Sequence, residues 1–160
     1  MMTGSEIFAS GNILKTFLAS KVDADNIISQ LNAAKRKSAV LGDNTWVKLF
    51  DFSAEDAVCE NTFDVHDLDT CDRVVYDNLA SYLTTDNKTN YDFIVAHLLG
   101  IDHVGHSTSS LTAPSMEVKI KEFSRYLGHI FDQSADNTLF IVTGDHGMRA
   151  DGNHGGTSIE

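Results

Sequence analysis

The run Asp92-Phe93-Ile94-Val95-Ala96-His97-Leu98-Leu99-Gly100 decides the layout of the chain. Its apolar residues are nearly continuous rather than alternating, and the run stops at a glycine. A strand apolar on both faces needs cover on both faces, the state of parallel strands packed between helices. A second run of this kind, Thr138-Leu139-Phe140-Ile141-Val142-Thr143, ends at Gly144. A shorter one, Ser38-Ala39-Val40-Leu41, ends at Gly42-Asp43. Helical spacing fills the intervals. Ile27, Ile28 and Leu31 mark a helix within 24–34, with Asp23 or Asp25 as its cap, and Trp46, Val47, Leu49 and Phe50 open a short one. Leu68, Val75, Leu79 and Leu83 mark a helix over 67–83, with Asp67, Asp69 and Asp72 suited to its N-terminal dipole. An amphipathic helix over 116–131 follows Pro114. The alternation predicts an α/β fold, a mostly parallel sheet flanked by helices with right-handed crossovers. Ligands of such sheets gather beyond the carboxyl ends of the strands.

Composition narrows the rest. The 160 residues carry 12 Lys plus Arg against 23 Asp plus Glu, a formal charge of −11. A surface this acidic repels phosphate backbones and excludes nucleic acid as a partner. Pro114 is the single proline, and no linker, repeat or low-complexity tract divides the chain, so residues 1–160 read as one unit without a second domain. No signal peptide and no membrane segment is visible. Asn87-Lys88-Thr89 is a glycosylation acceptor, and Cys59 and Cys71 leave the redox compartment open.

The residues after the two strong runs carry the chemistry. Gly100-Ile101-Asp102-His103-Val104-Gly105-His106 follows the first; Gly144-Asp145-His146-Gly147-Met148 and then Asn153-His154-Gly155-Gly156 follow the second. Imidazole and carboxylate are the donors that Zn²⁺ and its neighbours take. Two such clusters at two strand ends could hold two ions about 3.5–4 Å apart, a clamp for phosphoryl displacement. His97 reads as a hydrogen-bonded core histidine. His103 could either touch a substrate phosphate or brace a ligand. His66 and His129 read as surface or packing residues, Trp46 as a packing anchor, and Asp64, Asp67, Asp69 and Asp72 as a solvated helix start.

Asp-x-x-x-His at 102–106, Gly-Asp-His-Gly-Met at 144–148 and His-Gly-Gly at 154–156 together resemble the alkaline phosphatase superfamily of two-metal transfer enzymes. Within it the chain resembles the GPI ethanolamine phosphate transferases. Met2-Thr3-Gly4-Ser5, the segment 42–50 with its Trp-Val-Lys-Leu-Phe wording, the segment 63–69 and the segment 96–106 carry that likeness. It is strongest toward the transferase 2 branch, and the transferase 3 branch stays open. The resemblance implies an alkaline phosphatase-like fold, incomplete at the N-terminus, with this chain the C-terminal portion of a luminal catalytic domain. It implies one metal on Asp102, His106 and His154, and a second on Asp145 and His146 with groups outside this chain. Two divalent ions, zinc by family habit, would serve the complete site. The family's nucleophilic Thr is expected upstream of Met1; Thr3 and Ser5 do not take its place. The implied reaction moves ethanolamine phosphate from phosphatidylethanolamine to a mannose of the GPI precursor on the luminal side of the endoplasmic reticulum membrane, with a membrane partner subunit possible. The competing readings are a nucleotide pyrophosphatase-like hydrolase and an inactive metal-binding truncated product. The segment 6–21 departs from the family pattern, as does Ala113-Pro114 after a Ser/Thr-rich stretch.

Overall fold

A computed structural model describes residue 2 and residues 21–60, 62, 64–83 and 91–154. The expectations for Thr3, Ser5, Asn87 and the segment 155–156 fall outside these residues. Strand β1 (Ser38–Asp43) lies at the centre of a three-stranded sheet, with Ala39, Val40 and Leu41 fully buried. Its neighbours are β2 (Ala57–Glu60) and β3 (Phe93–Ala96), in the order β2-β1-β3, and both pairings are parallel. Leu41 lies opposite Val58 on one side and Ala96 on the other, so all three carboxyl ends point the same way.

The helices form where the apolar spacing predicts, with caps that shift their boundaries. Helix α1 (Ile27–Ala33) is started by Asn26, not by Asp23 or Asp25. The Asn26 side chain accepts from the Ser29 amide at 3.0 Å and the Ser29 hydroxyl accepts from the Asn26 amide at 3.2 Å, a reciprocal capping box. The short α2 (Thr45–Leu49) carries Trp46 immediately beyond β1. Helix α3 (Thr70–Leu83) covers the sheet, where Leu41, Cys71 and Val75 pack with Val58, Leu79, Ile94 and Leu99 around them. Fully burying side chains of this size stabilises by about 1.5–3 kcal/mol each. Pro114 occupies the first turn of α5 (Pro114–Gln133), where its missing N–H costs nothing.

The segment 100–106 lies within a helix, α4 (Gly100–Thr108). Two expectations are corrected. Asp72 is not part of a solvated helix start, being 4% exposed. Its carboxylate accepts from the amides of Leu99 at 2.7 Å and Gly100 at 3.0 Å and so caps α4 from a neighbouring helix. Finally, the run 138–143 is not a buried strand; Leu139, Ile141 and Val142 are 83%, 74% and 58% exposed. An extended segment enters a sheet only where a neighbour takes its N–H and C=O groups, and among the described residues no strand lies beside this one. Phe140 rests on Phe131 of α5 instead, with ring centroids 5.8 Å apart. The run 92–99 does form a strand, shortened to β3, whose residues are half-buried to exposed as befits a strand with one neighbour.

Candidate metal centre

Helix α4 begins just beyond the carboxyl end of β3 and carries Asp102 and His106 four residues apart. That spacing places both side chains on one helix face, and His106 Nε2 lies 3.4 Å from Asp102 Oδ2. The segment 144–154 brings the second set of donors. His154 Nε2 stands 3.1 Å from Asp102 Oδ1, and the His154 ring stacks on His146 at 3.8 Å and tilts against His106 at 4.9 Å. Donor atoms of Asp102, His146 and His154 all lie within 4.8 Å of one another. Asp145 Oδ2 extends the cluster, 3.5 Å from His146 Nε2 and 3.8 Å from His97 Nε2. The five residues read as ligands from the sequence are thus contiguous in space.

Two glycines make the meeting possible. A Cβ on Gly105 would lie 2.5 Å from Met148 Sδ and 3.1 Å from the Gly152 carbonyl oxygen. Gly152 has φ +74°, and a Cβ there would overlap the Gly105 carbonyl. Backbone therefore packs on backbone, with His106 one residue after the first glycine and His154 two residues after the second. Their mutual contact is visible only in three dimensions.

Asp102 Oδ1 is buried and makes no hydrogen bond, although His154 Nε2 lies 3.1 Å away. Leaving a buried acceptor unpaired costs about 1–3 kcal/mol, and more when it is charged. A divalent cation resolves this cost and suits the imidazole–carboxylate donor set, so the residues present fit a metal. The Asp145 carboxylate is kept charged in another way. The neighbouring His97 imidazole, opposed by burial and aided by the charge of His146, holds its carboxyl down at about 2.

The remaining histidines sit elsewhere. His103 is buried, with Nδ1 2.8 Å from the Asp67 carbonyl oxygen, a bond that ties α4 to the turn before α3. His129 is exposed beside Tyr76, and His66 is exposed in the 64–67 turn. Trp46 is half-buried and does more than pack, since its indole N–H donates to His97 Nδ1 at 3.0 Å.

Fold and site first define a class: an α/β domain that presents carboxylate and imidazole donors beyond the carboxyl ends of a parallel sheet. Within that class the chain belongs to the type I phosphodiesterase / nucleotide pyrophosphatase family, whose sequence profile matches residues 12–154. It is 36% identical over 142 residues to the mouse GPI ethanolamine phosphate transferase 3, catalytic subunit, covering 89% of this chain and 13% of that protein. It is 35% identical over 147 residues to the Saccharomyces cerevisiae GPI ethanolamine phosphate transferase 3, covering 90% and 14%. The Yarrowia lipolytica GPI ethanolamine phosphate transferase 2 is 38% identical over 136 residues, covering 84% and 15%. The resemblance noted in the sequence is thus present to both branches. The chain spans only 13–15% of the length of these relatives. No solved structure gives a significant match.

Proposed function

We propose that this chain supplies metal-binding residues to a site that transfers ethanolamine phosphate from phosphatidylethanolamine to a mannose of a GPI precursor, in a parent protein at the luminal face of the endoplasmic reticulum membrane. The names of the curated relatives support the substrate class. The observation that carries the site is the Asp102 carboxylate, its Oδ1 buried and without a hydrogen bond beside His154 and its Oδ2 beside His106. Asp102, His106 and His154 hold one divalent ion, and Asp145 and His146 contribute to a second that other parts of the parent protein complete. Such ions, zinc by the donor set, neutralise phosphoryl charge and lower the pKa of bound hydroxyls.

The chain's own residues then have distinct tasks. Asp102 and Asp145 present carboxylate oxygens, and the Gly105–Gly152 contact fixes the distance between helix and loop. His103 acts from inside the fold by anchoring α4 through Asp67. Among the described residues no helix is long and apolar enough to cross a membrane.

Zinc content after chelator-free purification tests this reading. Close to one tightly held ion per chain is expected, and none at all defeats the ligand assignment. A second reading, hydrolysis with water as acceptor, is favoured by the phosphodiesterase description of the family. Incubating the complete parent protein with phosphatidylethanolamine and no glycolipid decides between them, because free ethanolamine phosphate accumulates only if water is the natural acceptor.

A further inference from the structure

We propose that Trp46 and His97 form a positioning pair for Asp145: the indole fixes the imidazole tautomer, and the imidazole then turns its remaining N–H toward the Asp145 carboxylate. The pair matters to metal binding only if Asp145 is a ligand, so its functional part rests on the reading above.

The tautomer follows from donor chemistry. An indole N–H can only donate. It stands 3.0 Å from His97 Nδ1, so that nitrogen must offer a lone pair. A neutral imidazole accepting at Nδ1 carries its proton at Nε2. His97 Nε2 is the atom that faces Asp145 Oδ2, at 3.8 Å. A protonated nitrogen has no lone pair for a metal, so His97 turns an N–H toward the carboxylate and is not itself a ligand. This separates it from His106, His146 and His154 despite its place at the same rim.

The backbone is arranged around this pair. The His97 amide donates to the Leu41 carbonyl at 2.9 Å, continuing the β1–β3 ladder one residue past β3. Beside it Gly42 adopts φ +147°, and a Cβ there would lie 2.8 Å from His97 Cβ and 2.9 Å from the His97 carbonyl oxygen. Only glycine lets β1 approach so closely. Trp46 meets His97 edge-on at 77° with centroids 5.8 Å apart, while its other neighbour is Phe50 at 5.7 Å. Both partners are therefore held at the carboxyl ends of adjacent parallel strands. Asp145, by contrast, sits in a segment without regular structure and needs an external guide.

The test uses the full 160-residue chain. In the metal-free protein, imidazole ¹⁵N spectra assigned with Trp46→Phe and His97→Gln should show His97 protonated at Nε2 and bare at Nδ1. Trp46→Phe should let the two tautomers mix, and Asp145→Asn should shift the Nε2 signal. Protonation at Nδ1, or an Nε2 signal indifferent to Asp145→Asn, overturns the proposal whether or not metal binds. A zinc titration, carried beyond the one tightly held ion to the weaker step that Asp145 and His146 serve, adds the functional arm. Of the binding steps, the one lost in Asp145→Ala should weaken about tenfold in His97→Leu, in the range reported for outer partners of metal ligands. His97→Gln, which keeps an N–H at the same reach, should recover most of that loss. An unchanged step in His97→Leu overturns the positioning role. A titration in which Asp145→Ala removes no step instead defeats the assignment of Asp145 as a ligand and leaves the spectra to decide the pair.

Discussion

Asp102 holds the strongest residue-scale signal, because a buried carboxylate oxygen without a partner is tolerated only where something else uses it. Substituting Asp102 or His154 with Ala should therefore lower zinc affinity by more than about tenfold, the lower end of what even outer partners of ligands cost. His129→Ala, exposed beside Tyr76, should leave it unchanged. Isothermal calorimetry of the three variants checks this, and a His129→Ala loss equal to the others would show a nonspecific effect of removing imidazoles. The residue types were legible in the sequence: the carboxylates and imidazoles that meet in space stand in the motifs at 102–106, 144–148 and 154. The orphaned oxygen was not, because burial at position 102 depends on α4 and the 144–154 segment closing over it. Trp46 was read as packing alone, since nothing in its neighbourhood in sequence reveals a histidine 51 positions away.

Helix α4 shows how an element can escape sequence reading. Its own N-cap residue, Leu99, makes no side-chain cap bond, so the usual start signal is missing. The cap comes from Asp72, 28 residues upstream. Asp72→Ala leaves two amides unsatisfied and should cost about 1–3 kcal/mol in denaturant melts. Asp72→Asn keeps an acceptor and should cost distinctly less. Burial raises the Asp72 pKa against the pull of the Leu99 and Gly100 amides, so the Asn variant also removes a charge the fold disfavours. Lys119 of α5, buried beside it, bonds Asp69 at 2.5 Å and Glu122 at 2.8 Å. Burial lowers its pKa, but those partners outweigh the effect and the net shift is upward. The sign follows: its contribution is complete below the ordinary lysine value of about 10.4 and is lost as pH climbs through the higher folded value. Lys119→Met should abolish that alkaline loss in a pH series of melts. At the facing contact, Gly152→Ala should cost about 1–3 kcal/mol through its positive φ and the clash with Gly105, and should weaken zinc binding with it.

At the scale of the molecule the parallel sheet and its site-bearing edge were predictable, because buried strands and helical spacing are local patterns. The fate of 138–143 was not, since an apolar run becomes a strand only if a neighbour is there to pair with it. The exposed side chains of Leu139, Ile141 and Val142 form a hazard for self-association. Replacing Leu139 and Ile141 together with Lys should reduce concentration-dependent light scattering of the isolated chain; unchanged scattering would place the cause elsewhere. The net charge of −11 acts in the opposite sense and is screened by salt, so association should grow with ionic strength. One feature near the sheet's rim has a practical outcome of its own. Trp46 is the chain's single tryptophan, so indole emission from this protein has one origin, next to the residues that gather around Asp145. Its intensity and colour become a label-free gauge of events in that hollow, installed by the chain itself.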